Sequence, residues 1–215
     1  NDVKPPHNPA LVFVGAAMLW VGWFGFNGGS ALAADGAAGM AITVTHIAAA
    51  TATLTWMTIE WMSHGKPTLV GAATGAIAGL ATITPASGYV GPVGALIIGV
   101  LAGLICYKMC GIIKNKWKID DALDVMAVHG VGGVLGILLT APLGAVAFGG
   151  LGLSDQTIGN QFITQLIGVI AVGIWCLVIT WLITLVVRKF IGLRVTDDEE
   201  IEGLDTSVHG EKGYN

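Results

Sequence analysis

Leu19, Trp23, Phe26 and Ser30 recur at i, i+4, i+7 and i+11, a spacing that places all four on one stripe of a helix. Aromatic faces attract cations, and a hydroxyl can accept a hydrogen bond from an ammonium-like guest. Such a stripe can line the outer mouth of a pore. It can equally be an ordinary packed stripe in which Ser30 bonds back to its own helix. His129 offers a different chemistry. It follows Asp120, Asp121 and Asp124 into an apolar stretch, flanked by Gly130, Gly132 and Gly133 and by no charged neighbour. An ionisable residue within a membrane span is costly and is a functional hypothesis by default. A neutral imidazole there both donates and accepts, which suits a dry channel passing a small polar molecule or a proton. The competing reading is a histidine bonded to a neighbouring helix. Depth matters too: five residues beyond Asp124 is only about 7–8 Å of helix rise, so His129 reaches mid-span only if its helix starts below the membrane surface.

The elements that must position these residues are membrane helices. Of 215 residues, 54% are apolar and 11% charged, and the mean hydropathy is +0.76. A soluble domain averages about 25% charged residues. Six stretches, at 10–33, 38–62, 68–86, 91–113, 124–148 and 160–188, are long and apolar enough to cross the bilayer, which takes about 20 residues. The fold class expected is an all-α polytopic membrane protein with six transmembrane helices. A loop (1–9) precedes the six-helix region (10–190), and a polar tail (191–215) follows. The third span is the shortest and carries Thr74, Thr82 and Thr84, which a bundle interior tolerates. The chain has 32 glycines, with small residues four apart at Gly71, Gly75 and Gly79, at Gly99 and Gly103, and at Gly132 and Gly136. This spacing lets helix backbones approach closely in lipid.

Basic residues give the orientation. Lys4, Lys66, Lys108, Lys114, Lys116, Lys118, Arg188, Lys189, Arg194 and Lys212 all fall in or beside the first segment, the second and fourth loops, or the tail. Lys and Arg concentrate on the cytoplasmic side, so both ends are expected there. Trp56, Trp61 and Trp117 then lie near the inner face as interfacial anchors. The opening residues, Asn1 to Pro9, read as a loop without a signal peptide or initiator methionine. The net charge of −4 comes mostly from the acidic tail, so nucleic acid is not an expected partner.

Cys106, Cys110 and Cys176 have no pairing logic and no histidine or carboxylate beside them, so they read as packing residues, with no metal site or other cofactor. His46, among Thr43 and Thr45, reads as structural, satisfied by those hydroxyls. Glu60 is placed to pair with Lys66, and nothing singles out His7, His64 or His209. The tail is more patterned than low-complexity extensions usually are.

Three motifs together resemble the ammonium transporter (Amt) family: Trp23-Phe24-Gly25-Phe26-Asn27-Gly28-Gly29-Ser30, Asp124-Val125-x3-His129-Gly130-Val131-x-Gly133, and Gly192-Leu193-Arg194-Val195 with Glu202-Gly203-Leu204-Asp205 and His209-Gly210-Glu211-x2-Tyr214. Gly65 to Leu69 and Ile83 to Tyr89 are similar as well. The resemblance covers the whole chain but only the C-terminal half, spans six to eleven, of an eleven-span inverted-repeat fold. It implies a channel for ammonium or ammonia, not an enzyme, in the plasma (inner) membrane. Ser30 would be the outer-vestibule hydroxyl, Phe26 one of two gating phenylalanines, Trp23 and Leu19 pore lining, and His129 one of a histidine pair whose partner lies in the other half. It further implies a homotrimer with one pore per subunit. A PII-type signalling protein would dock on inner loops and the tail, at Lys114, Lys116, Lys118, Arg194, Glu202 and Asp205. Ser30 and the tail favour Amt over the related Rh proteins. Two alternatives stay open: an ammonium sensor acting through its tail, and an inactive structural paralogue.

Overall fold

The structure, a computed structural model, describes residues 6–213. Lys4 of the opening loop and Tyr214 of the tail motif lie outside the described residues. Six helices are long and apolar enough to cross a membrane. They are α1 (Pro9–Gly29), α2 (Gly36–His64), α3 (Leu69–Ile83) with its 3₁₀ extension Thr84–Ala86, α4 (Pro92–Gly111) continued to Lys116, α5 (Gly132–Leu143) together with the turn from Met126 that leads into it, and α6 (Ile158–Phe190). α4 continues as a π-helical turn, Ile112–Lys116, and α5 is preceded by another, Met126–Val131. The expected spans are recovered with ends moved by a few residues. The first stops at Gly29, and Asp35 instead caps α2, accepting from the amides of Ala37 and Ala38.

The chain divides into two compact units, residues 1–169 and 170–215. In the first, α2 packs on α3 and α4, α1 on α2 and α3, and α5 on α3. Glycine makes these approaches possible. A Cβ at Gly79 would meet the Ala48 carbonyl oxygen at 2.6 Å, at Gly75 the Trp56 Cβ at 2.7 Å, at Gly99 the Ala48 carbonyl oxygen at 2.7 Å and at Gly103 the Thr55 Cβ at 2.7 Å. The short third span is the innermost: two-thirds of its residues (67%) are buried. Two of its three hydroxyls are absorbed by its own carbonyls, Thr74 donating to Val70 and Thr84 to Leu80, while that of Thr82 is buried without such a bond.

Four expectations from the sequence need correction. Trp56 is not an interfacial anchor; it is 5% exposed and packs edge-on against Tyr107, ring centroids 5.3 Å apart. Glu60 does not pair with Lys66. Its carboxylate accepts the Thr68 amide (2.7 Å) and hydroxyl, closing the corner between α2 and α3. Gly65 turns the chain there with φ +79, so the group brought back to Glu60 is the helix cap, not the lysine before the proline. His46 is not bonded by its neighbours' hydroxyls. Those of Thr43 and Thr45 donate to Gly39 and Ala41 of their own helix, while the His46 ring lies against Trp20 and Phe24. Cys106 and Cys110 are buried free thiols as expected, but Cys176 is exposed on α6. His64, which the sequence left unremarked, shares a 3.2 Å hydrogen bond with Tyr107.

The second unit contains the end of α6 and two short helices, α7 (Asp197–Glu202) and α8 (Leu204–His209). Thr196 and Glu199 form a reciprocal capping box at α7. The Thr196 amide and hydroxyl both donate to the Glu199 carboxylate at 2.8 Å, and these bonds hold that carboxyl below its ordinary range. The patterned tail thus has a folded counterpart.

Candidate functional site

Trp23 and His129, from the first and fifth spans, stack with their rings nearly parallel and offset, centroids 6.4 Å apart and planes inclined by 17°. Phe26 meets Trp23 edge-on at 5.9 Å. The indole is held from its other side: Trp23 Nε1 donates to Thr84 Oγ1 at 2.7 Å, and that hydroxyl donates to the Leu80 carbonyl. Its plane is therefore fixed by α3 and not left to rotate. One residue along from Phe26, buried Asn27 donates to Thr45 Oγ1 of α2 at 2.9 Å, which pins the C-terminal end of α1. Thr84 and Asn27 escaped the sequence reading because their partners are far apart in the chain. The only signal was polarity inside an apolar run.

A cleft of about 300 Å³ opens beside this stack, lined by Val12, Leu19, Thr74, Ile77, Val128 and His129 among others. Of the five pore candidates, Leu19 and His129 line this cleft and Trp23 and Phe26 join it through ring contacts. Phe26 is 61% exposed, as a side chain facing an open mouth would be. Ser30 Oγ donates to the Phe26 carbonyl at 2.6 Å; the bond uses its proton and leaves its lone pairs able to accept from a cation. His129 itself is exposed, and among the described residues its imidazole has no hydrogen-bond partner.

Two of the aspartates ahead of His129 are engaged, in different ways. Asp121 caps the turn, its carboxylate accepting from the amides of Val125 and Met126 at 2.8 Å each. Asp124 instead forms an ion pair with Lys114 at 2.7 Å. A second cavity of about 310 Å³ is lined by both, and by Trp56, Glu60, Thr74 and Tyr107. Thr74 thus borders both spaces.

The family model described as Ammonium Transporter Family matches residues 1–214. The chain belongs to the ammonium transporter family. It is 46% identical over 98% of its length to an ammonium transporter of Aquifex aeolicus, of which it covers 49%, and 44% identical over 97% to ammonium transporter Amt1 of Archaeoglobus fulgidus, of which it covers 53%. Among solved structures, one named Sensor Amt Protein superposes with a TM-score of 0.87 at 34% identity, covering 98% of this chain and 52% of that one. Candida albicans Mep2 superposes with a TM-score of 0.81 at 36% identity, covering 92% and 45%. The chain spans about half the length of the relatives it matches. That coverage agrees with the reading of six helices as half of an eleven-helix transporter.

The residues expected to meet a partner differ in their availability in this ammonium transporter chain. Lys116 and Lys118 are exposed, whereas Lys114 is engaged with Asp124, its side chain 22% exposed. In the tail Arg194 reaches Glu200 at 2.8 Å, and Glu202 and Asp205 are exposed on either side of Gly203.

Proposed function

We propose that this chain supplies the C-terminal half of an ammonium channel of the plasma membrane, with both of its ends cytoplasmic. The observation that carries the reading is the Trp23–His129 stack beside the Leu19 cleft, with Phe26 at its outer edge. Phe26 and Ser30 recruit ammonium at the outer mouth, where a cation that has shed part of its hydration meets an aromatic face and an oxygen acceptor. Carrying the ion through an apolar pore is expensive. Deprotonation at the mouth avoids that cost: neutral ammonia passes Trp23 and Leu19 and is handed along His129, whose unpaired imidazole completes a histidine pair with the other half. The proton either stays outside or is relayed separately along the histidines.

In this reading the transporter is a homotrimer with one pore per subunit, and a PII-type protein closes it from the cytoplasm by contacting Lys116, Lys118 and the tail around Glu202 and Asp205. A second reading, an ammonium sensor acting through the tail, draws on the similarity to the Sensor Amt Protein structure. Proteoliposomes containing the chain assembled with the other half separate the two. Ammonium-driven flux well above that of empty vesicles supports a channel. Ammonium binding with no flux supports the sensor instead.

A further inference from the structure

We propose that the Lys114–Asp124 ion pair is a positioning device that sets the orientation of His129, and that Lys114 is not part of the docking surface. The proposal rests on the pore reading of His129. The imidazole has no hydrogen-bond partner among the described residues, so nothing at the ring fixes how it faces Trp23. The backbone must do so, and His129 sits in the π-helical turn Met126–Val131, a winding that is rare and found mostly as single turns, frequently at functional sites. Such a turn holds a defined direction only if it is clamped at both ends.

One clamp is packing. A Cβ at Gly132 would come within 2.7 Å of Thr82 Oγ1, and one at Gly136 would collide with the Thr82 carbonyl. The helix from Gly132 onward therefore rests on α3. The other end is held twice, by the Asp121 carboxylate, which accepts from the Val125 and Met126 amides at 2.8 Å each, and by an ion pair that sets the residue between them. Asp124 has φ +56, a left-handed conformation uncommon for a residue with a side chain. Its carbonyl receives the Val128 amide at 2.8 Å, and its carboxylate is tied to Lys114 at 2.7 Å with both side chains mostly covered, 22% and 17% exposed. Lys114 belongs to the other π-helical turn, Ile112–Lys116, at the end of α4. The ion pair thus joins the first wide turn to the residue two positions ahead of the second. The third charged group lining the same cavity, Glu60, is already committed to Thr68, so Asp124 is the acid left to hold Lys114. Freed from the pair, the turn can rewind and carry the imidazole out of the stack with Trp23.

The test uses the whole transporter in proteoliposomes. Lys114→Met and Asp124→Asn each break the pair, while Lys114→Arg and Asp124→Glu keep the charges and serve as folded references. Three properties are read: methylammonium flux per folded trimer, selectivity over potassium, and binding of a PII-type protein. The expected result is a loss of roughly tenfold or more in flux per folded molecule for the breaking variants, with altered selectivity. The charge-keeping variants should recover most of the flux. Normal flux and selectivity in the breaking variants, with only PII binding lost, would overturn the proposal. So would a loss that merely tracks the amount of folded protein, or charge-keeping variants as impaired as the breaking ones. His129→Ala, measured in parallel, reports on the pore reading separately: unchanged flux there sinks the pore role whatever the ion-pair variants do.

Discussion

The first and third spans are similarly apolar, and each could cross a membrane, yet 6% of the most apolar 18-residue stretch of the first is buried and 67% of the third. Hydropathy says that both belong in the bilayer and nothing about which lies inside. What separates them is the use made of small residues. Along α3, the glycines at 71, 75 and 79 each have a neighbouring helix where a side chain would be. On α1, Gly15, Gly22 and Gly25 have nothing within 4 Å. α3 is the scaffold against which the others are registered. α1 presents a stripe that this chain leaves open.

The sharpest way to break that contrast is one substitution made on both helices. Gly79→Leu should be severely destabilising, because its Cβ alone would lie 2.6 Å from the Ala48 carbonyl oxygen and 2.7 Å from Ala49 Cα; overpacking of this kind costs about 1–3 kcal/mol or more. Gly22→Leu on α1 should leave the melting temperature in detergent unchanged. Equal losses at the two sites would remove the distinction. A smaller effect is expected where α2 turns into α3. Glu60→Ala strips the Thr68 amide and hydroxyl of their acceptor and should cost about 1–3 kcal/mol. Lys66→Ala, at the residue first expected to pair with Glu60, should fall within about 0.5 kcal/mol of the parent. Denaturant melts of the two variants decide this directly. Thr84→Val, which releases the Trp23 indole from α3, should cost about 1 kcal/mol and reduce flux more than stability, as a comparison of transport and melting would reveal.

The smallest effect lies in the tail. The Glu199 carboxyl is held below its ordinary value by the Thr196 amide and hydroxyl. The bonds favour the ionised form, so the stability they give α7 is complete above the ordinary carboxylate pKa. It is lost as pH falls through the lowered folded value. Amide hydrogen exchange of 197–202 should therefore stay slow through mildly acidic conditions and quicken only at strongly acidic pH. Thr196→Ala should quicken it at neutral pH.

Much of this was legible in the sequence because the bilayer imposes few and strong rules. Span number followed from apolar runs, and the close helix contacts followed from glycines four apart, each of which meets a neighbouring backbone or side chain. The Trp23–Phe26 stripe and His129 were identifiable by type and spacing, and the structure brings them together. What stayed hidden is long-range pairing. Nothing near Trp23 in the chain points to Thr84, and Lys66 is nearer to Glu60 in sequence than Thr68, yet it is Thr68 that bonds to the carboxylate. Lys114 looked like one of three equivalent loop lysines until the π-helical turn delivered it to Asp124. Trp56 was misplaced for the same reason: a tryptophan near a span end anchors at the interface only if no neighbouring helix covers it, and here Tyr107 and α3 do.

The central claim is that His129 faces the conduction path and helps to exclude ions. The most direct measurement is the current carried by ammonium and by potassium across membranes containing the whole transporter, with His129 and with His129→Glu. A carboxylate at the stack with Trp23 should offer a bare cation the partner that the imidazole does not, so potassium is expected to pass through the variant and not through the parent. Unchanged exclusion of potassium by a folded, conducting His129→Glu transporter would contradict the account.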